Sequence, residues 1–137
     1  MTGINIQIPW SRLLINGDKV VETRSYKLPK KYEGIEMYLV ETPGKYGKFK
    51  ARVIGTITFS HSFKYPDKNS WKDDYNRHKV EENDEFFSWK DNKPKYGWVV
   101  SFVNKFDEPL DIVGKRGIIF TSDLRTIFCW RKYYRYS

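Results

Sequence analysis

The stretch Gly17-Asp18-Lys19-Val20-Val21-Glu22-Thr23-Arg24 places a lysine, a glutamate and an arginine within six residues. In an extended chain, side chains two apart share a face, so Glu22 and Arg24 point one way and Val21 and Thr23 the other. Lys19 falls at the mouth of the strand. A glutamate in this setting can accept from an exocyclic amine such as that of cytosine, while the arginine and lysine can pair with a phosphate or a carbonyl. Lys19 and Glu22 together are also an acid and a base within reach of a water. The same three groups read equally well as a half-buried strand carrying a surface ion pair, an arrangement that contributes little energy. An unpaired buried carboxylate would be costly, so Glu22 is expected to be neutralised by Lys19 or Arg24.

Other basic residues have the character of phosphate contacts. Lys45 and Lys48 lie on a proline- and glycine-containing loop, residues 42 to 50, that carries no acid, and Lys115 and Arg116 sit between Gly114 and Gly117. The latter turn is shorter than any phosphate-loop signature. From Arg125 to Ser137 the chain holds Arg125, Arg131, Lys132 and Arg135 and no acid, interleaved with aromatics. Such an arm suits a nucleic-acid strand, and the spacing of Ile127, Trp130 and Tyr134 equally suits a terminal helix packed on the domain.

The elements that position these groups follow from periodicity. Ile4 to Ile8 alternates as a strand, and Pro9 opens a short helix over residues 9 to 16 with Trp10, Leu13 and Leu14 on one stripe. Gly17 closes that helix, and the strand with the charged trio runs from about 19 to 25. Ile35 to Glu41 and Ala51 to Phe59 read as a hairpin, with Gly55 marking a bulge or a close backbone approach. Tyr96 to Phe106 carries apolar residues on both faces and reads as a central strand ended by Asp107-Glu108-Pro109, with a last strand at Ile118 to Phe120. Between these lies a charge-dense but balanced region, residues 60 to 95. There Ser70 and Asp73 suggest a capped helix over 71 to 79, and Trp71, Tyr75 and His78 form its stripe. His78 reads as a packing histidine, and the acidic run Glu81 to Glu85 as a solvated loop.

Composition limits the classes open to the chain. At 137 residues it suits one domain, and a single cysteine, Cys129, excludes an internal disulfide. Two histidines and one cysteine do not supply the usual zinc ligands, so neither a metal nor a cofactor is expected. No apolar run reaches the roughly 18 residues of a membrane span and no secretory signal opens the chain, so a soluble, cytoplasmic protein is expected. A net charge of +8 with five Trp, ten Tyr and nine Phe points to polyanions, since aromatic faces between basic side chains suit unpaired bases.

The order of elements resembles the ASCH domain. The likeness is carried by Pro9-Trp10, Gly17-x-Lys19-x-x-Glu22-x-Arg24, Val53-Ile54-Gly55, Tyr96-Gly97-Trp98-Val99, Glu108-Pro109 and Gly114-Lys115-Arg116-Gly117. It implies an α+β, PUA-like fold: a mixed, mostly antiparallel β-barrel with short helices between strands, over residues 1 to 121. Residues 122 to 137 would form a basic-aromatic extension packed on the same domain. By motif, Lys19, Glu22 and Arg24 would line a cleft at the barrel opening, with Trp10 and Trp98 near its wall. The resemblance implies RNA, single-stranded nucleic acid or a modified nucleoside as partner. Some small bacterial members are amidohydrolases acting on N4-acetylcytidine, with a threonine nucleophile where this chain has Glu22. Thr23 is adjacent but faces the other way, so an enzyme here would rest on Lys19 and Glu22. Other members are described as nucleases, and no metal-binding cluster in this sequence supports that activity.

Overall fold

Five strands frame the chain in the computed structural model, which describes residues 1–44 and 48–111. The alternation at the N-terminus forms β1 (Gly3–Gln7), which sends Ile4 and Ile6 into the core. Pro9 stands at the N-cap of α1 (Trp10–Ile15), whose Leu14 and Ile15 pack on the sheet. Gly17 leaves the helix with φ +85, a left-handed turn that a side chain would strain. The chain then enters β2 (Val21–Arg24).

A hairpin follows, β3 (Glu36–Thr42) and β4 (Arg52–Lys64), and a long strand, β5 (Tyr96–Asp111), completes the sheet. The strand order is β1-β3-β4-β5-β2. β1 runs parallel to β3 and all other pairs are antiparallel, so the sheet is mixed and mostly antiparallel as expected. It does not close into the expected barrel: among the described residues the edge strands β1 and β2 share no ladder. β2 spends its four residues pairing with the start of β5, and a side chain, not a backbone ladder, spans the seam to β1.

Both faces of the hairpin are apolar. Met37, Leu39, Ile57 and Phe59 join Ile4, Ile6, Leu14 and Trp98 in the main core, while Tyr38, Val40 and Val53 form a second cluster behind the sheet. Each such side chain, fully buried, contributes about 1.5–3 kcal/mol. That sum fixes the register, because a slip by one residue would exchange the two sets. Gly55 sits where the β4 registers shift against both neighbours, and an added Cβ there would lie 2.2 Å from the carbonyl oxygen of Asn104. Bulge and close approach thus coincide.

Two expectations need correction. β5 does not end at Asp107 to Pro109 but continues to Asp111, with Leu110 paired to Val53. The register shift between Val53 and Gly55 leaves residues 106 to 109 unladdered, so Pro109 forfeits no hydrogen bond. Only its first residues, Tyr96 to Val99, are flanked on both sides; beyond them Phe102 is exposed. The helix expected over 71 to 79 is two short ones, α2 (Lys68–Asp73) and α3 (Tyr75–His78), broken at Asp74. Its cap is Asp67, which accepts from the Ser70 amide at 2.8 Å and so starts the helix earlier than a Ser70 cap would. The strand at 118 to 120, the terminal helix and the extension from 122 lie outside the described residues.

Candidate functional site

The turn at Gly17 and the first residues of β2 bring the charged trio together. Glu22 and Arg24 share one face of β2, as alternation requires, and both are buried. Glu22 Oε1 lies 3.5 Å from the Lys19 ammonium, and its Oε2 accepts from Arg24 Nε at 3.2 Å, with Arg24 Nη2 at 3.1 Å. Lys19 is 1 % exposed. It also donates to the carbonyl oxygen of His78, where α3 runs up against the start of β2 through the hydrogen bond from Val20 N to Arg77 O. Burial pulls the Lys19 ammonium below its ordinary pKa, and Glu22 only partly opposes the shift.

The walls are aromatic. Glu22 is opposite Trp98 in the β2–β5 ladder, and the Arg24 guanidinium lies over the Trp98 ring at 5.5 Å. Tyr26 meets Trp98 edge-on at 5.6 Å and supplies the carbonyl that accepts from the indole N–H. Below Lys19, His78 stacks flat on Trp71 at 4.9 Å, donates from Nε2 to the Trp71 carbonyl and accepts at Nδ1 from Val80 N. Burial first of all takes its pKa down to about 4, so the ring is neutral near pH 7. The packing role expected for His78 holds.

Crystal structures of ASCH from Zymomonas mobilis share the overall fold of this chain. The first matches with TM-score 0.63 at 14 % identity, covering 81 % of this chain and 73 % of that one. Serine-to-alanine and tyrosine-to-phenylalanine variants of the same protein match with TM-scores of 0.60 and 0.62, at 15 % and 14 % identity. They cover 80 % and 81 % of this chain and 72 % and 75 % of those. This chain has the ASCH fold. No protein-family model and no curated protein matches its sequence.

Within this ASCH fold the expected site residues part company. Lys19, Glu22 and Arg24 form one cluster, and Trp98 adjoins it at 1 % exposure, its faces taken by Arg24, Tyr26 and Phe59. Trp10 is half-buried and packs edge-on against Phe87 at 4.6 Å, with no hydrogen bond or ring contact to the trio among the described residues. Lys48 is exposed on the hairpin loop, while Lys45, Lys115 and Arg116 lie outside the described residues. Among the described residues no three His, Cys, Asp or Glu side chains converge as metal ligands, and no helix is long and apolar enough to cross a membrane.

Two further groups escape a reading of the sequence. Lys95, just before β5, donates to the carbonyl oxygens of Phe87 at 2.6 Å and Ser88 at 3.2 Å and lies over the Trp71 ring at 5.3 Å. Burial, with smaller contributions from Lys90 and Lys19, lowers its pKa to about 8. The second is Glu41 at the end of β3, 0 % exposed, which reads from alternation as an ordinary polar strand residue. It accepts from Ser11 at 2.8 Å, from Arg12 Nε at 2.7 Å and from Arg52 Nη2 at 2.9 Å. Burial alone would raise its pKa, yet the hydrogen bonds from Arg12, Ser11 and Arg52 outweigh it and hold the carboxyl below its usual range. Partners 29 and 30 residues away leave no local signal.

Proposed function

We propose that the chain binds RNA or a modified nucleotide through the Lys19–Glu22–Arg24 cluster. The observation that carries the reading is the charge arithmetic: two cations share one carboxylate where little water reaches, leaving one positive charge in excess. Three buried ionisable groups are a poor source of stability, since apolar residues of similar size often do as well. They suit a ligand that brings an anion to the cations or an exocyclic amine to Glu22. Trp98 backs Arg24 from the core, and of the two tryptophans half-buried Trp10 is the one with surface to offer. Lys45, Lys48, Lys115 and Arg116 serve backbone phosphates in this reading, and the net charge of +8 draws a polyanion to them. The likeness to the ASCH fold supports it further.

A hydrolase acting on a modified nucleoside such as N4-acetylcytidine is the second reading. One observation favours it: burial draws the Lys19 ammonium toward neutrality beside Glu22, as an acid–base pair acting on water requires. One experiment separates the two. The protein is incubated with modified cytidines and short RNAs, and both binding and product are measured for wild type, Lys19→Met and Glu22→Gln. Binding without product, weakened in Glu22→Gln and by rising salt, supports the binding protein. Turnover lost in Lys19→Met supports the enzyme. Binding and turnover indifferent to both substitutions would remove the cluster from either role.

A further inference from the structure

A second excess of positive charge lies at the loop end of the β3–β4 hairpin, around Glu41. Arg12 at the start of α1 and Arg52 at the start of β4 both engage the single carboxylate of Glu41. One guanidinium, gripping both oxygens, would neutralise Glu41, and Arg12 already does so through Nε to Oε2 and Nη2 to Oε1. Arg52 adds Nε and Nη2 to Oε1 at 3.0 and 2.9 Å, so one positive charge is left over. Neither Nη1 has a partner among the described residues. Glu41 is sealed, whereas the Arg12 side chain is 52 % exposed and that of Arg52 26 % exposed. The carboxylate is thus the buried anchor and the guanidinium forks reach the surface. Phe49 fixes the second fork, its ring 4.3 Å from Arg52 Cζ. Lys48 and Lys50 are exposed on the same loop, and Asp111, the ladder partner of Arg52, forms no ion pair with it.

The geometry points to a phosphate-binding site made by Arg12 and Arg52, taking one phosphodiester of a single-stranded RNA. Two guanidiniums held in a fixed orientation by one carboxylate present outward N–H groups in the planar fork that phosphate oxygens accept. Anchoring on Glu41 removes most of the rotamer entropy that free arginines would lose on binding. Lys48 and Lys50 extend the positive surface along the strand. The assignment rests on the chain being a nucleic-acid binder but not on the Lys19 cluster being where the base goes.

The test uses an octauridylate and pyrophosphate as probes. In the wild-type protein, the Nε–Hε NMR signals of Arg12 and Arg52 are followed during titration with each. Octauridylate affinity is then measured across a salt series for wild type, Arg12→Gln, Arg52→Gln, Lys19→Met and Glu22→Gln. Each arginine variant leaves Glu41 one guanidinium partner, and thermal melts confirm folding, so the variants remain readable. Expected are shifts of both signals with the oligonucleotide, a several-fold loss of affinity in each arginine variant, and a salt slope shallower by about one. Octauridylate binding with unchanged arginine signals and slopes would overturn the assignment and leave the proposed function standing. Slopes altered by the arginine variants but not by Lys19→Met would support this site and show that the Lys19 cluster takes no phosphate of this strand. Shifts with pyrophosphate alone would mark a site for free phosphates and overturn the phosphodiester assignment. No binding of either probe by wild type would overturn this assignment, while the modified cytidines of the proposed function would still test the Lys19 cluster on its own.

Discussion

Arg24, the last residue of β2, donates from Nη2 to the backbone carbonyl oxygen of Asn5 in β1 at 3.0 Å. Among the described residues β1 and β2 are the two edges of the sheet, and this side chain spans a seam that no ladder between them closes. The same guanidinium holds Glu22. Arg24→Met keeps the length of the side chain but leaves Glu22 to Lys19 alone and removes the donor from Arg24 to the Asn5 carbonyl. It should cost about 2–4 kcal/mol in urea unfolding and speed amide exchange in β1 and β2 before the centre of the sheet. Arg24→Lys should not restore the loss, because an ammonium lacks the fork that reaches both acceptors. Full rescue by lysine would show that only the charge matters.

The short-range order of this fold was legible, and the long-range order was not. Alternation placed Glu22 and Arg24 on one face, Gly17 marked the helix exit and Gly55 the bulge, because each is dictated by neighbours a few residues away. Residues 60 to 95 misled on helix length, since Asp67 caps earlier than Ser70 and Lys79 takes a left-handed φ of 61 that stops α3. Glu41 and Lys95 gave no warning because their burial depends on α1, β4 and the 86–89 turn folding over them. The open seam was also beyond the sequence, as nothing in a strand pattern says whether two edges pair or are bridged by an arginine.

His78 predicts a pH window. Its folded pKa, about 4, lies below the ordinary 6.5, so the unfolded chain binds the extra proton. Stability from this group is therefore complete above about 6.5 and is lost as pH falls toward 4, by roughly 3 kcal/mol in all. Urea midpoints should fall between pH 7 and 4.5, and His78→Gln should flatten the slope while lowering stability at pH 7. A wild-type midpoint constant over that range would mean that His78 takes up its proton as readily in the folded chain as in the unfolded one.

Gly55→Ala should be far more damaging than Gly17→Ala. At Gly17 no atom lies within 4 Å of an added Cβ, so the cost is the positive φ alone, about 1–2 kcal/mol. At Gly55 the Cβ would meet the Asn104 carbonyl oxygen at 2.2 Å and Ile15 Cδ1 at 2.7 Å. The first of these is backbone in the partner strand, and the β4–β5 register must shift to relieve it. A loss of about 3 kcal/mol or more is expected, with altered cross-strand contacts between β4 and β5 in NMR spectra. Equal losses at the two glycines would contradict the close approach.

Glu22 and Glu41 are both carboxylates between two cations, and their geometries predict opposite consequences. Glu41 is sealed and takes hydrogen bonds from three side chains, the shortest at 2.7 Å, whereas the contacts of Glu22 are looser, 3.1 to 3.5 Å. Removing the charge from Glu41 leaves Arg12 and Arg52 without their anchor, so Glu41→Gln should cost about 3 kcal/mol and bring acid unfolding to higher pH. The sign follows from its lowered pKa: Glu41 stabilises above the ordinary carboxyl value of 4.5 and loses that contribution as pH falls below it. Glu22→Gln should cost only about 1 kcal/mol, because Arg24 still holds Asn5 and Lys19 still holds His78. Its larger effect should fall on affinity for cytidine-containing ligands. Were the two substitutions equally destabilising with ligand affinity untouched, Glu22 would be a structural anchor like Glu41.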